Sequence, residues 1–93
     1  MTDLAPDELD ALDDITPTDA RILAELEDGR NVPKNIADEI DRNPTHVSDR
    51  LRVLRTHDMV RRIGSESISL HEITDRGRDV HEAYTQFQQA LQS

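Results

Sequence analysis

The spacing of apolar residues along the chain changes twice, from a helical period to a strand period and back. Between residues 16 and 57, apolar side chains recur every three or four positions, as they do on one face of an α-helix. They alternate with polar residues in "MVRRI" and "SISLHEI", which is typical of strands, and "GSES" between them suits a hairpin turn. The helical period returns after Thr74, a residue type that caps helices. The pattern predicts a mainly α fold with a small β-hairpin: three helices, two strands and a last helix.

The first three helices have recognisable ends. Thr16 and Asn43 are residue types that cap helix starts, and each precedes a proline, which fits the first helical position. Gly29 predicts a stop after the first helix, and Pro33 begins a short second one. The third helix is predicted from Pro44 to about His57. Two short helices joined by a tight turn and followed by a hairpin form a helix-turn-helix with a wing.

The third helix has one apolar and one polar face. Val47, Leu51 and Leu54 fall on one side and are predicted to face the core. The opposite side carries hydroxyl, imidazole and guanidinium groups, which suit a DNA major groove because arginine can donate two hydrogen bonds to guanine. The residues predicted to contact DNA from this segment are Asn43, Thr45, His46, Ser48, Asp49, Arg50, Arg52 and Arg55, with Arg50 at the edge of the face.

Asp49 has two interpretations, because a carboxylate on this face would be repelled by phosphates. It could accept a hydrogen bond from cytosine N4, or it could hold Arg52 through a contact three residues apart on the helix. In the wing, Arg61, Arg62 and the turn with Ser65 are predicted to reach an adjacent phosphate or minor groove. Glu66 at the tip makes that contact weak.

Charge is distributed unevenly along the chain. The net charge is −9, yet residues 1–28 hold ten acids and one base while residues 29–93 hold ten of each. Six arginines lie between residues 42 and 64 with only two acids. Surface ion pairs could account for any single arginine, but the cluster indicates contact with nucleic acid.

Composition narrows the class of protein further. There are no cysteines, which excludes disulfides and thiolate metal sites, and no apolar run long enough to span a membrane. We therefore expect a cytoplasmic protein without a membrane partner. No phosphate-binding glycine loop or nucleophile–base pair is present, so we expect neither an enzyme nor a cofactor. Ten arginines against one lysine, with abundant acids, resemble the composition of proteins from salt-in halophiles.

The last helix carries a stripe of apolar side chains that could either cover the core of its own domain or pair with the same helix of a second copy. Pairing is favoured, since the only two aromatic residues of the chain lie on this polar helix. The predicted organisation is an acidic flexible arm over residues 1–15, a winged-helix domain over 16–74 and a dimerisation helix over 75–93. Leu4, Leu9 and Leu12 are apolar positions of the arm. The stripe consists of Val80, Tyr84, Phe87 and Leu91.

The segment "IADEIDRNPTHVSDRLRVLRTHDMVRRIG" resembles the recognition core of archaeal and bacterial winged-helix regulators of the ArsR/MarR type. "ITDRGRDV" resembles the start of their last helix, and the acidic composition is most similar to haloarchaeal proteins described as phage phi-H repressor-like. The resemblance implies a dimeric double-stranded DNA-binding transcription regulator that represses by occupying a promoter. It implies DNA contacts from the third helix and from residues 61–67. These families often have glycine in the turn before the third helix, and here Asn43 is expected to supply the left-handed conformation.

Two further interpretations concern other ligands and partners. Asp79 and His81 match half of a zinc-site pattern on the last helix of some ArsR-like sensors, but Leu91 and Gln92 stand where the other half should be. We therefore expect no metal or small-molecule effector and interpret the four histidines as surface or DNA-facing. The alternative function is a winged-helix protein-interaction module or transcription-machinery adaptor, which the acidic arm and net charge favour.

Overall fold

A computed structural model describes residues 15–65 and 67–92, and its elements follow the predicted order. The predicted fold class is confirmed. Residues 1–14 of the arm predicted over 1–15, with its three leucines, lie outside the described residues, as do Glu66 of the predicted wing and Ser93 of the predicted last helix. The elements are α1 (Pro17–Glu27), α2 (Pro33–Ile40), α3 (Pro44–Thr56), β1 (Val60–Ile63), β2 (Leu70–Ile73) and α4 (Asp75–Gln92).

The predicted caps begin α1 and α3. Thr16 Oγ1 accepts a hydrogen bond from the backbone N–H of Asp19 at 3.1 Å, and the Asp19 carboxylate accepts one from the Thr16 N–H at 3.1 Å. Asn43 Oδ1 accepts from the backbone N–H groups of Thr45 and His46 at 2.8 and 3.3 Å. These bonds satisfy N–H groups that have no partner within a helix, so the sequence signals fix where each helix starts.

The turn between α2 and α3 differs from the prediction. Asn43 has φ −63° and ψ 130°, which is an extended conformation. The left-handed residue is Asp41, at φ 56° and ψ 55°, which ends α2. The reason is that a capping side chain reaches the first turn only from an extended backbone, so the reversal has to occur two residues earlier.

One core joins all six elements. The α1–α2–α3 contact supplies most of it, and Val80 of α4 belongs to the same cluster. Ile15, the last residue of the predicted arm, also packs against this core. Beyond Val80 the stripe on α4 emerges from the domain, since Phe87 and Leu91 are 59% and 71% exposed. The buried apolar residues are Ile22, Leu23, Leu26, Ile36, Ala37, Ile40, Val47, Leu51, Leu54, Met59, Val60, Ile73 and Val80.

The antiparallel hairpin is shorter than predicted. Its register pairs Val60 with Ile73 and Arg62 with His71. Ile68 was predicted within the second strand but lies in the turn and is 52% exposed, because its N–H donates to the Ser65 carbonyl at 3.1 Å instead of pairing with β1. On its other edge β2 is bridged by Asn31, whose backbone exchanges hydrogen bonds of 3.0 and 2.8 Å with His71.

Gly77 allows α4 to pack directly against the end of β2. An added Cβ would collide with the carbonyl oxygen of Met59 and lie 2.7 Å from Cγ1 of Ile73. Thr74 Oγ1 accepts the Gly77 N–H at 3.0 Å, as expected for a cap. The close approach explains the glycine in "ITDRGRDV". No helix in residues 15–65 and 67–92 combines the length and apolarity needed to cross a membrane.

Candidate nucleic-acid interface

The polar face of α3 is exposed over its whole length. Val47, Leu51 and Leu54 are fully buried, as predicted, and this orientation turns the intervening residues outward. Exposed Asn43 caps the start of the helix, and the backbone amide groups that it caps lie at the same end. The exposed residues on this face are Thr45, His46, Ser48, Asp49, Arg52 and Thr56.

Asp49 lies within hydrogen-bonding distance of Arg52. The Arg52 Nη2 to Asp49 Oδ1 distance is 3.1 Å, and both side chains are exposed. The Thr56 hydroxyl donates to the Arg52 carbonyl oxygen at 3.0 Å. Of the two interpretations of Asp49, this arrangement has the geometry of the one in which the carboxylate holds Arg52.

Arg50 lies on a different side of α3 from the groups predicted to accompany it. Its Nε donates to Asp19 Oδ1 at 2.8 Å and its Nη2 to Asp19 Oδ2 at 2.7 Å, a two-pronged pair. Asp19 is only 1% exposed. The sequence did not predict this ion pair, because a helical wheel of α3 gives only the position of Arg50 at the edge of the polar face and Asp19 is 31 residues away on α1. Arg50 thus joins α3 to α1.

Arg55 also has a partner that the sequence did not predict. Its Nη1 lies 2.7 Å from Nε2 of His71, and Nδ1 of His71 lies 2.9 Å from the carbonyl oxygen of Ser69. A carbonyl oxygen only accepts and a guanidinium only donates, so Nδ1 carries the proton and Nε2 accepts. His71 is therefore neutral and joins α3 to the wing.

The surroundings of His71 keep it neutral. Burial lowers the pKa of His71, and the positive charges of Arg55 and Arg62 lower it further, while the hydrogen bond to Ser69 opposes them. The residue is 2% exposed. The prediction that all histidines are surface or DNA-facing is therefore wrong for His71. The alternation in "SISLHEI" could have predicted the burial of His71, because His71 and the core residue Ile73 share one strand face.

The other histidines lie apart from this network. His46 is exposed at the start of α3, and His57 is half-buried at its end. His81 Nδ1 is 3.0 Å from Glu27 Oε2, which joins α4 to α1. Within the described parts of the chain, no three histidine or acidic side chains are grouped as metal ligands would be.

The two wing arginines point to opposite faces of the hairpin. Arg61 Nε lies 3.0 Å from Glu72 Oε1, and Arg30 Nε lies 3.2 Å from the other oxygen of the same carboxylate. Arg62 is on the face of His71, toward α3. Ser65 is exposed in the turn, with its hydroxyl 2.9 Å from that of Ser67. Strand alternation thus separates two adjacent arginines that the sequence grouped together.

A cleft of about 290 Å³ lies between α3 and the wing. It is open to solvent, and three guanidinium groups contribute to its walls. Among residues 15–65 and 67–92, Asp49 is the one carboxylate in its lining. The polar residues that line it are Ser48, Asp49, Arg52, Arg55, Arg62, Ser69 and His71.

Comparison with solved structures finds similar folds at low identity. The YusO protein from Bacillus subtilis superposes with a TM-score of 0.77 at 20% identity, covering 94% of this chain and 66% of that one. An S. aureus MepR mutant bound to an oligodeoxyribonucleotide gives 0.71 at 25% identity, covering 91% and 65%. The homodimeric winged helix-turn-helix DNA-binding domain of Mb0332 from Mycobacterium bovis, a possible ArsR-family transcriptional regulator, gives 0.70 at 19%, covering 99% and 91%.

These likenesses define the fold of the chain. The chain is a winged helix-turn-helix. No family model matches it, and no curated protein does. It spans 72% of the length of the Streptococcus pyogenes adhesin competence repressor, but little more than half, 54%, of Lactococcus lactis ZitR.

Proposed function

We propose that the protein is a sequence-specific double-stranded DNA-binding transcription regulator that acts as a repressor, with α3 in the major groove. The observation that carries the proposal is that the exposed polar face of α3 runs without interruption into the arginine-lined cleft beside the wing. A groove-reading helix needs hydrogen-bonding groups toward base edges and cations toward the backbone. Arg52 is placed to hydrogen-bond to a base edge, and Arg62 is placed to contact a backbone phosphate.

The functions named for similar structures support this proposal. The MepR mutant and ZitR are both described in complexes with DNA, and the S. pyogenes protein is described as a repressor. Thr45, His46 and Ser48 are proposed to contact bases or backbone near the start of α3, and Asn43 and Ser65 to contact flanking phosphates. Arg50 and Arg61, which face Asp19 and Glu72, contribute through those ion pairs and not through direct base contact.

We also propose that the protein acts as a homodimer through the second half of α4. Phe87 and Leu91 are large apolar side chains at exposed positions, and Tyr84 is half-buried beside them. Val80 is buried in its own domain and so contributes to the core, not to the pairing surface. The similar Mb0332 domain is described as homodimeric. Sedimentation at tens of micromolar protein in molar salt tests this, and a monomer would contradict it.

Two-fold symmetry sets the form of the binding site. The half-sites would be inverted repeats about one helical turn apart, roughly 34 Å. Selection of bound duplexes from a random pool in molar KCl is the direct experiment, because non-specific binding is weak at high salt. Enrichment of an inverted repeat is expected. Failure to enrich any sequence would contradict the proposal and favour the protein-interaction alternative, to which the net charge of −9 lends support.

A narrower class is proposed from composition and from the motif resemblance. The acid-rich, lysine-poor sequence suits a haloarchaeal cytoplasm, and the resemblance is to phage phi-H repressor-like proteins. A protein of this kind loses stability in dilute buffer because its acidic surface repels itself. The melting temperature is expected to rise from low salt to molar KCl. An unchanged value would contradict the halophilic assignment and leave the DNA-binding proposal standing.

A further inference from the structure

The cleft between α3 and the wing brings arginines from two separate elements together. Arg52 and Arg55 come from α3, and Arg62 comes from β1. The cleft also has the hydroxyl groups of Ser48 and Ser69 in its lining. Guanidinium groups and hydroxyls that converge on one open space suit a phosphate, whose oxygens accept hydrogen bonds from both.

The partner of Arg55 sets it apart from other arginines of the fold. Arg50 faces Asp19 and Arg61 faces Glu72, so a carboxylate offsets each positive charge. Arg55 is held instead by Nε2 of His71, at 2.7 Å. Among residues 15–65 and 67–92, the structure pairs Arg55 with no carboxylate. A neutral imidazole fixes the direction of the guanidinium without cancelling its charge.

The imidazole is hydrogen-bonded on both sides of the cleft, to Arg55 and to the chain leading into β2. Its Nδ1 donates to the Ser69 carbonyl oxygen at 2.9 Å, in the chain leading into β2. The backbone of the same residue is bridged on one side to Arg62 in β1 and on the other to Asn31. In the part of the chain that the structure describes, the charged groups lining the cleft are Asp49, Arg52 and Arg55 from α3 and Arg62 from β1, while α2 contributes the uncharged Pro33. His71 therefore positions Arg55 relative to the wing.

We propose that this cleft binds one phosphodiester of the DNA backbone, with His71 as the positioning residue that directs Arg55 toward it. The inference rests on the proposed DNA-binding function and assigns a specific phosphate contact within it. Arg55 and Arg62 donate to the phosphate from opposite walls. His71 makes no contact with DNA and acts through Arg55.

The number of phosphate contacts can be read from the salt dependence of binding. Each phosphate contact contributes about 0.9 to the slope of log affinity against log salt concentration on duplex DNA. Measured on the selected duplex, the full-length Arg55→Gln and Arg62→Gln proteins are each expected to lose up to about 0.9 of slope per bound protomer, so the loss doubles for the proposed homodimer. Arg30→Gln is the matched control, because Arg30 faces Glu72 on the opposite side of the hairpin and should leave the slope unchanged. Equal slopes for all three variants would overturn the proposal.

The role of His71 is tested by a pair of substitutions. Glutamine can offer an amide oxygen near the position of Nε2, whereas leucine removes the acceptor. We expect His71→Leu to lose the same slope as Arg55→Gln and His71→Gln to retain the wild-type slope. A wild-type slope in folded His71→Leu would overturn the positioning role. If circular dichroism shows that the leucine variant does not fold, the arginine variants still decide whether the phosphate site exists.

A chemical substitution in the DNA identifies the ligand as a phosphodiester. Duplexes with one neutral methylphosphonate at successive backbone positions are expected to show one position in each half-site at which wild-type affinity falls but that of Arg55→Gln does not fall further. A further loss at every position would overturn the assignment. If the wild-type protein binds no duplex at all, the proposed function itself fails, which is a different result from duplex binding with unchanged slopes.

Discussion

Two arginines of α3, Arg50 and Arg55, make contrasting contacts on its two sides. Toward α1, Arg50 forms a two-pronged ion pair with Asp19, which is almost completely buried. Toward the wing, Arg55 donates to a neutral imidazole at the edge of an open cleft. In the first contact, the positive charge of Arg50 is offset by Asp19, and the ion pair joins α3 to α1. The contact between Arg55 and His71 orients the guanidinium, and because the imidazole is neutral it does not offset the positive charge.

The contrast shows why counting basic residues along the sequence is a poor guide to an interface. The cluster from residue 42 to residue 64 contains six arginines. Their partners decide what each one does, and those partners are distant in the sequence. The contrast leads to four measurable expectations, which concern the buried pair, the DNA contacts, the imidazole and the exposed pair.

The largest effect is expected from breaking the buried pair. Asp19→Ala removes the carboxylate that Arg50 faces and also removes the acceptor of the Thr16 N–H in the capping box of α1. Removing one member of a buried ion pair costs about 3–5 kcal/mol. Urea unfolding followed by circular dichroism, in molar KCl, measures the change in the free energy of unfolding. Asp49→Ala is the control, since that carboxylate is exposed; equal losses from both variants would contradict the distinction.

The DNA contacts are expected to differ in kind between α3 and the wing. Arg52→Ala should cost about 1–3 kcal/mol at the selected site and relax its sequence preference, as expected for a base contact. Arg62→Ala should weaken binding to all duplexes by a similar factor, as expected for a phosphate contact. Fluorescence anisotropy with the selected duplex and single-base variants separates the two. Equal small effects on every sequence would count against the assignment.

The imidazole is expected to make stability depend on pH. Because the pKa of His71 is lowered in the folded protein, the unfolded chain takes up the proton first as the pH falls below about 6.5. The free energy of unfolding should therefore decrease with falling pH until the folded-state pKa is passed, and then level off. In His71→Gln this component of the pH profile should be absent. A profile between pH 5 and 8 identical to that of the wild type would rule out His71 as its source.

The smallest effect is expected at the exposed pair of Asp49 and Arg52. The two groups are 3.1 Å apart but both are solvent-exposed, so the pair contributes only about 0.2–0.5 kcal/mol to stability. A double-mutant cycle of Asp49→Ala and Arg52→Ala by urea unfolding measures the coupling. The same cycle on DNA affinity is the more informative one. A large preference of Asp49→Ala for altered bases would favour direct reading of cytosine.

Local features of the fold could be predicted from the sequence, and contacts between distant elements could not. Thr16 and Asn43 cap their helices as expected, because a cap involves residues two or three positions apart. Val47, Leu51 and Leu54 are buried as the helical period predicts. The partners of Arg50 and Arg55 lie 31 and 16 residues away, and only the packing of α1 and the wing against α3 brings them near.

The candidate site was predicted as a set of residue types rather than as a geometry. The polar face of α3 followed from the helical period, but the cleft depends on how the hairpin packs against that helix. The separation of Arg61 from Arg62 was available in principle from strand alternation. The role of His71 was not, because strand alternation places its side chain on the face of Ile73 but does not show that it accepts a hydrogen bond from an arginine of α3.

One oxygen atom of Asp19 links the start of the described domain to the recognition helix. Oδ2 accepts the Thr16 N–H at 3.1 Å and Arg50 Nη2 at 2.7 Å, so two hydrogen bonds in series join the chain at residue 16 to the middle of α3. A pull on the chain ahead of Thr16 would therefore reach α3, the helix proposed to face DNA, through these two bonds. A tether attached at that point would act on the binding surface through a path only two hydrogen bonds long.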